Sequence, residues 1–323
     1  MLDQYQRQIE YMRISITDRC NLRCAYCMPE KGVEWIPHSM ILTFEEILQV
    51  MEASTKLGFS RFRITGGEPL VRKGVLDFLQ RAAKIKGVED LMLTTNGILL
   101  EEMAPDLKAA GVDRINVSLD TFDGERFREV TRGGDVNKVI AGIFKALEVG
   151  LNPVKINAVV VRDFNDHELP KFLDLARNYP LHVRFIELMP IGTSSERRSD
   201  FVPIAEMKKI IGIEDLHPVQ DIRGGGPAEY YRPEGYKGSI GFISALSRHF
   251  CQTCNRVRLT ADGKLRPCLH SSQELDLRQA LRSGGTEEDL IQVLSQAIQQ
   301  KPSQHHMNEE SWHDKRFMSQ IGG

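Results

Sequence analysis

The 323-residue sequence has no excess of charge of either sign, no long apolar run and few aromatic residues. Its formal net charge is −2 and aromatic residues make up 7% of it, so the composition favours neither nucleic acid nor a membrane surface as a partner. No apolar run approaches the ~20 residues that a membrane-spanning helix needs. Residues 1–7 lack the apolar core of a signal peptide. We therefore expect a cytoplasmic protein.

Cysteine is absent from residues 28–250, and the six cysteines form two triplets, one on each side of this stretch. Disulfides are rare in the reducing cytoplasm, so this distribution indicates metal binding or catalysis. The sequence also lacks the G-x4-G-K-[ST] loop and the G-x-G-x2-G fingerprint of nucleotide-binding proteins. Side chains would have to hold the phosphates of any bound nucleotide, and arginine forks suit phosphate oxygens.

Short β-branched apolar runs alternate with amphipathic stretches of helical length. Strands are predicted at 12–17, 61–65, 90–95, 114–119, 154–161 and 182–188. Helices are predicted at 43–57, 75–86, 101–110, 136–149, 166–178, 204–211, 275–282 and 287–300. Thr43 and Glu46 have the spacing of a capping box at the start of the first helix. Six strand–helix repeats predict a parallel sheet with right-handed crossovers. Because eight repeats close a barrel, six indicate an α/β fold with an incomplete (β/α)6 barrel.

The strand–helix pattern ends near residue 212. We predict a barrel domain over residues 1–212 and a smaller C-terminal region over 213–323 that covers the open side of the barrel. Residues 223–227, Arg-Gly-Gly-Gly-Pro, are a flexible break between them. Residues 301–316 are polar, and we expect them to be extended or mobile. His305 and His306 could form a metal pair, but we favour a solvated tail.

The first cysteine triplet consists of Cys20, Cys24 and Cys27, at C-x3-C-x2-C spacing directly after the first predicted strand. Thiolates this close in sequence lie on one loop and can bind one metal centre. A [4Fe–4S] cluster normally has four thiolate ligands, so three leave one iron open to another ligand. The spacing alone also allows a zinc site without its fourth ligand, or unrelated buried thiols.

The second triplet consists of Cys251, Cys254 and Cys268, at C-x2-C-x13-C spacing. A short C-x2-C pair followed by a third cysteine and a nearby histidine is typical of zinc sites, and His249 or His270 could complete one here. The alternative is a second [4Fe–4S] cluster with an open iron. The spacing alone does not decide between the two.

The surroundings of the first triplet resemble those of the radical S-adenosylmethionine (SAM) enzymes. RISITDRC runs into the triplet, YCMP closes it, and GGEP follows the second predicted strand. The resemblance implies a partial barrel and a first [4Fe–4S] cluster whose open iron binds SAM, which is cleaved reductively to a 5′-deoxyadenosyl radical. It implies SAM contacts from Tyr26, Gly67, Ser118 and Met189, and from the side chain of Glu68.

The surroundings of the second triplet resemble the GTP 3′,8-cyclase family. The similarity lies in FCxxCNRxRLTxDGKLRxCL and extends to LTTNG, RINVSLD and RFIELMPIG. It implies that the second triplet holds a second [4Fe–4S] cluster, whose open iron binds guanine. The residues implied to contact GTP are Arg13, Arg63, Thr94, Lys155, Arg256 and Arg258. Arg61 and Arg184 are weaker candidates for the same basic lining.

The resemblance implies that the radical removes the ribose 3′ hydrogen of GTP and that C3′ then bonds to guanine C8. The product would be (8S)-3′,8-cyclo-7,8-dihydroguanosine 5′-triphosphate, made by a lyase in the first step of molybdenum cofactor (molybdopterin) biosynthesis. An electron donor is implied, as is cyclic pyranopterin monophosphate synthase, the accessory enzyme acting next. Gly322 and Gly323 are implied to support catalysis by entering the active site. The sequence leaves a monomer and a homodimer open.

Two rival interpretations belong to other classes. The first is a radical SAM enzyme that modifies peptides and carries an auxiliary cluster, although such enzymes usually have more cysteines in their C-terminal region. The second is a zinc-dependent scaffold or nucleic-acid adaptor, for which the expected basic patch and stacking aromatic residues are missing from the composition.

Overall fold

A computed structural model of the chain describes residues 1–213, 216–220, 222–224, 226–307 and 316–322. Within these residues, the strands are β1 (Tyr11–Ser15), β2 (Arg61–Thr65), β3 (Asp90–Thr95), β4 (Arg114–Ser118), β5 (Val154–Val160), β6 (His182–Glu187), β7 (Glu229–Tyr231), β8 (Ser239–Ile243), β9 (Arg256–Leu259), β10 (Lys264–Arg266) and β11 (Leu275–Asp276). They form one sheet, in the order β11-β10-β9-β1-β2-β3-β4-β5-β6-β8-β7.

The α-helices of the described residues connect these strands. They are α1 (Phe44–Lys56), α2 (Val75–Ala82), α3 (Leu100–Ala109), α4 (Gly124–Thr131), α5 (Val136–Glu148), α6 (Leu169–Asn178), α7 (Ile204–Ile211), α8 (Leu277–Arg282) and α9 (Glu287–Gln299). In the part of the chain that the structure describes, no helix has both the length and the apolar character needed to cross a bilayer.

The central strands β1 to β6 lie side by side and parallel, each followed by helical structure. Strand residues such as Ile14, Ile64 and Ile115 are fully buried in the main hydrophobic core. Such continuous burial is typical of parallel strands, which are covered on both faces. The incomplete (β/α)6 barrel expected from the sequence is confirmed.

Most of the predicted elements are confirmed, with ends that coincide or shift by at most four residues. The capping box before α1 is present: the Glu46 amide donates to Thr43 Oγ1 (3.1 Å), and the Thr43 amide donates to Glu46 Oε2 (2.7 Å). Helix α4 was not predicted, because its eight residues are mostly polar and only a few of them are buried. The helix predicted from residue 275 is wrong at its start, since Leu275 and Asp276 pair with β10 as a strand.

The C-terminal region adds strands at both ends of the barrel sheet. Strand β8 lies parallel to β6, and β9 lies parallel to β1 on the opposite side. The two regions therefore share one sheet, and the boundary near residue 212 stays a prediction. Within the described residues the sheet ends at β11 and β7 and does not close.

The expectation of a solvated segment after residue 300 is wrong for Lys301 and His305. Both are buried, at 2% and 5% exposure. Lys301 Nζ donates to the carbonyl oxygens of Arg256 (2.8 Å) and Pro267 (2.9 Å), so two carbonyl partners compensate for the burial of this ammonium group. Residues 308–315, where the prediction of an extended or mobile segment also falls, lie outside the described residues.

Candidate active site

One cavity at the mouth of the barrel brings the two cysteine triplets together. It is lined by the carboxyl ends of the strands, the loops that follow them, and parts of the C-terminal region. The sequence-predicted site residues that line it are Arg13, Cys20, Cys24, Tyr26, Cys27, Arg63, Gly67, Thr94, Ser118, Lys155, Met189, Cys251, Cys254, Arg256, Arg258 and Cys268. Parallel α/β folds place their sites at this end of the sheet.

The first triplet lies on the loop that follows β1. The Cys27 amide donates to the Cys24 carbonyl (2.9 Å), and the Leu22 amide points at Cys20 Sγ (3.4 Å). Burial raises the pKa of the Cys20 thiol to about 11 and that of Cys27 to about 12. Burial, the neighbouring thiols and Asp120 raise the pKa of Cys24 well above its usual range. Three free thiols whose negative charges would repel one another fit a cationic metal centre, which stabilises thiolates.

Two glycines let the end of β2 pass directly beneath this loop. The Gly67 amide donates to the Thr17 carbonyl (2.7 Å), and a Cβ on Gly67 would lie 2.4 Å from the Arg19 carbonyl oxygen. A Cβ on Gly66 would lie 2.6 Å from the Thr17 carbonyl oxygen. Any larger residue would push the cysteine loop away from the sheet, which explains Gly-Gly here.

Glu68, the next residue, connects the end of β2 to the end of β3 through hydrogen bonds. Its carboxylate accepts hydrogen bonds from Thr95 Oγ1 (2.8 Å) and from the amides of Asn96 (2.6 Å) and Leu70 (3.1 Å). Burial raises its pKa to about 7. Asn96 Nδ2 in turn lies 3.7 Å from Cys20 Sγ. Glu68 therefore fixes the strand ends around the first triplet, in addition to lining the cavity.

Tyr26 is held by a residue that the sequence reasoning missed. Its hydroxyl donates to Asp120 Oδ2 (2.6 Å), while Asp120 Oδ1 accepts from the Val159 amide (2.8 Å). Burial raises the pKa of Asp120 to about 6. Asp120 directly follows the Asn-Val-Ser-Leu stretch that ends β4, and a carboxylate at the carboxyl end of a parallel strand was the available signal. The carboxylate fixes the orientation of the Tyr26 ring between two of the thiols.

The second triplet lines the same cavity as the first. Cys251 is buried in a short 3-10 turn, Cys251–Thr253. Burial alone would raise the pKa of Cys254, but Arg256 and Lys301 lower it to about 6. The thiol of Cys254 is therefore ready to lose its proton and bind a metal. Both triplets consist of free cysteines, which fits two thiolate-bound clusters.

The strand register brings three arginines to one level of the barrel. Arg13 on β1 is the register partner of Arg63 on β2 and of Arg258 on β9. Arg63 Nη1 also reaches Thr94 Oγ1 at 3.4 Å. Burial, with repulsion from Arg256 and Arg266, lowers the pKa of Arg258 to about 9. Burial, with repulsion from Arg258 and Arg63, lowers the pKa of Arg13 well below its usual range. Clustered buried cations favour a highly charged anionic ligand.

Further round the barrel, Lys155 and Arg184 extend this basic lining. Burial, Arg184 and Arg114 lower the pKa of Lys155 to about 6, and its Nζ donates to the Arg223 carbonyl (2.7 Å). Nε and Nη2 of buried Arg184 have no hydrogen-bond partner among the described residues, which suits a ligand such as phosphate. Arg61, the other weak candidate, pairs instead with Glu10 at 3.0 Å.

The end of the described chain enters the same region. Gly322 has φ +79°, and a Cβ on it would lie 2.7 Å from Thr65 Oγ1. Its carbonyl oxygen accepts from Arg13 Nη2 (3.1 Å) and Arg258 Nη1 (3.3 Å). Gly323, the second glycine of the prediction, lies outside the described residues.

Comparison with known proteins agrees with this geometry. Residues 14–176 match the family model of the Radical SAM superfamily, and residues 181–307 match the one described as Molybdenum Cofactor Synthesis C. SuiB of Streptococcus suis, in a crystal structure with S-adenosylmethionine bound, shares the fold with a TM-score of 0.59. That match covers 88% of this chain and 68% of SuiB at 13% identity.

Two relatives match this chain over its whole length and theirs. The protein named GTP 3′,8-cyclase in Heliobacterium modesticaldum is 53% identical to this chain. The one of the same name in Pelotomaculum thermopropionicum is 51% identical. The fold and the first triplet therefore define a radical SAM protein. Within that superfamily, the chain belongs to the GTP 3′,8-cyclase family.

Proposed function

We propose that this chain converts GTP to (8S)-3′,8-cyclo-7,8-dihydroguanosine 5′-triphosphate, the first step of molybdenum cofactor biosynthesis. The observation that carries the proposal is the single cavity that both cysteine triplets and the basic residues share. The cofactors of the reaction are two [4Fe–4S] clusters and S-adenosylmethionine. The reaction would belong to the lyases.

In this proposal the two triplets have different tasks. Cys20, Cys24 and Cys27 hold the cluster that binds SAM, and Cys251, Cys254 and Cys268 hold the one that binds guanine. When bound, the first cluster and SAM supply the 5′-deoxyadenosyl radical that removes the ribose 3′ hydrogen. The chain itself positions the reactants and keeps water from them.

The residues around the first triplet orient SAM. The backbone at Gly67 passes close beneath the cysteine loop, where its polar groups can meet the amino group of SAM. Tyr26, oriented by Asp120, would pack near the adenine of SAM. Ser118 and Met189, which also line the cavity, would complete the SAM contacts.

The basic residues bind the triphosphate. Arg13, Arg63, Lys155, Arg256 and Arg258 face the cavity, and their donors replace the water that a triphosphate loses on burial. Thr94 adds a hydroxyl donor, and Arg184 adds unpartnered N–H groups. Gly322 lies beside Ser15 and Thr65, at the ends of β1 and β2, and together with Gly323 it would support the alignment of GTP with SAM.

The remaining parts of the proposal concern the setting of the enzyme. We infer a barrel domain over 1–212, a C-terminal region over 213–323, a cytoplasmic location, and a monomer or homodimer. An electron donor must reduce the first cluster. Cyclic pyranopterin monophosphate synthase would take the cyclised nucleotide next.

Product formation under anaerobic conditions tests the proposal. Purified chain with reconstituted clusters, SAM and a chemical reductant should convert GTP to an isomer with the mass of GTP. ATP is the matched control, because it has the same ribose and triphosphate but lacks guanine, and it should remain unconverted. Unchanged GTP, together with turnover of SAM in the presence of a peptide, would favour the peptide-modifying alternative instead.

A further inference from the structure

Beside the second triplet lies a group of potential metal ligands that the proposed function does not use in full. Among the residues that the structure describes, His249, Cys251 and His305 are the group of three whose ligand atoms all lie within 4.8 Å of one another. Only Cys251 has a role in the proposed clusters. His249 is exposed at the surface, whereas Cys251 and His305 are buried.

The two imidazoles are hydrogen-bonded to each other, slightly closer together than two ligands on one ion. His249 Nδ1 and His305 Nε2 are 3.0 Å apart, with the ring planes at 76°. Two nitrogens bound to zinc at about 2.0–2.1 Å in tetrahedral geometry are separated by roughly 3.3 Å. A small opening of the pair would admit the ion, and water could supply a fourth ligand.

Separate parts of the chain hold the ligands in place. His249 and Cys251 come from the segment between β8 and β9, and the 3-10 turn fixes Cys251. His305 comes from the segment after α9, which the buried Lys301 fastens to the carbonyl oxygens of Arg256 and Pro267. A site that two anchored segments form is partly organised before any ion binds.

The geometry is less suited to a fourth ligand of a [4Fe–4S] cluster. Ligands of different irons in a cubane lie farther apart than ligands of one ion. Atoms within 4.8 Å of Cys251 Sγ therefore favour one ion bound by all three residues.

We propose that His249, Cys251 and His305 form a mononuclear site for a divalent transition metal such as Zn²⁺ when the second cluster is absent. Binding transfers the proton of the Cys251 thiol to solvent and leaves a thiolate on the ion. Because one sulfur cannot serve both centres, this ion and the second cluster exclude each other. The mutual exclusion depends on the proposed second cluster. The ion site itself does not depend on that cluster.

Cobalt titration of the full-length, cluster-free chain tests the site. Cys20, Cys24 and Cys27 are replaced by Ser to remove the first triplet, and Co²⁺ is added without oxygen. One Co²⁺ per chain should bind, with the visible bands of a tetrahedral site and a thiolate charge-transfer band. Because even second-shell changes weaken metal binding by about 10- to 100-fold, His249→Ala should weaken it at least about tenfold. His249 is exposed, so this change does not threaten the fold.

Two control variants separate the proposed site from a site made of thiolates alone. His270→Ala alters a neighbouring ring, 6.0 Å from that of His305, and should leave Co²⁺ affinity unchanged. Cys254→Ser should also leave it nearly unchanged. Loss of binding in Cys254→Ser with normal binding in His249→Ala would place the ion on the three cysteines and overturn the proposal.

Cluster reconstitution tests the exclusion. Chain with all its cysteines, loaded with Zn²⁺ before reconstitution, should take up about four irons where the unloaded chain takes up about eight. His249→Ala should restore the higher iron content. Full iron uptake by the zinc-loaded chain would contradict the exclusion. The Co²⁺ titration does not depend on cyclase activity. If the chain lacked that activity, the expected Co²⁺ binding of the parent chain and its variants would stay the same, so failure of the proposed function is distinguishable from failure of the metal site.

Discussion

Arg258 donates a hydrogen bond from Nη1 to the carbonyl oxygen of Gly322, at 3.3 Å. Strand β9, which lies between Cys254 and Cys268, is thereby joined to the end of the described chain. Arg13 on β1 donates to the same oxygen, at 3.1 Å. The tail thus has a defined position at the barrel mouth, where its glycine conformation can be tested.

Gly322→Ala should reduce cyclisation by at least about tenfold. This factor corresponds to a loss of about 1.4 kcal/mol or more in the free energy of docking the tail. A left-handed conformation alone costs a non-glycine residue roughly 1–2 kcal/mol, and here the new Cβ would also lie 2.7 Å from Thr65 Oγ1. Iron content and melting temperature should stay near wild type. Product formation by chromatography is the measurement.

Gly284→Ala is the matched control for this prediction. Gly284 has nearly the same φ, +77°, but nothing lies within 4 Å of its Cβ position. It should lower stability slightly and leave cyclisation intact. Full activity of Gly322→Ala would show that the tail is dispensable, and loss of iron along with activity would make it a structural element.

Substitution in the first triplet and substitution in the second should have different effects on activity. Cys24→Ala should abolish SAM cleavage and lower the iron content from about eight to about four per chain. Cys268→Ala should retain some SAM cleavage but lose GTP-dependent cyclisation. Quantifying 5′-deoxyadenosine and cyclised nucleotide separately gives both readouts. Cyclisation at the wild-type rate by Cys268→Ala would refute the division of tasks.

Removal of a cavity cation should weaken GTP binding. Arg256→Ala, Arg258→Ala and Lys155→Ala should each cost roughly 1.5–3 kcal/mol, the value of a charge-assisted contact. Equilibrium binding to protein with intact clusters measures this loss. Arg61→Ala is the control, because Arg61 pairs with Glu10. The affinity of this variant for GTP should match that of the wild type. Unaltered affinity in all three cavity variants would exclude the basic lining as the triphosphate site.

GTP binding should be coupled to proton uptake through Lys155. In the free protein, burial and the neighbouring Arg184 and Arg114 lower the pKa of Lys155 to about 6, so the amine is mostly neutral at pH 7.5. A bound triphosphate favours the charged form and raises this pKa. Affinity should therefore be greatest below pH 6 and fall as the pH rises above it.

Calorimetry in buffers of different ionisation enthalpy would detect this proton. Lys155→Arg keeps the charge but does not titrate in this range, so it should bind GTP without the uptake. An uptake of the same size in Lys155→Arg would assign the proton to another group.

Local patterns predicted the barrel and the thiol sites well. Apolar residues of the six central strands, such as Ile14 and Ile64, are buried in the core, whereas Arg13 and Arg63 on the same strands face the cavity. The cysteine spacings are short enough to be read along the chain. Helix α4 escaped prediction, because its polar sequence carries little periodic signal.

Contacts between distant residues could not be predicted in this way. Tyr26 and Asp120 are 94 positions apart, and His249 and His305 are 56 apart. Each pair meets only because the sheet and the C-terminal segments bring separate loops together. His305 looked like part of a solvated polar tail, since the sequence around it gives no sign of the anchoring through Lys301.

The central claim is that one cavity holds SAM and GTP close enough for direct hydrogen transfer. GTP with deuterium at ribose C3′ tests this claim most directly, through the isotope content of the 5′-deoxyadenosine that forms during turnover. Direct hydrogen transfer predicts one deuterium in 5′-deoxyadenosine and no deuterium in the cyclised product. Unlabelled 5′-deoxyadenosine, with the deuterium still at C3′ of the nucleotide, would contradict it.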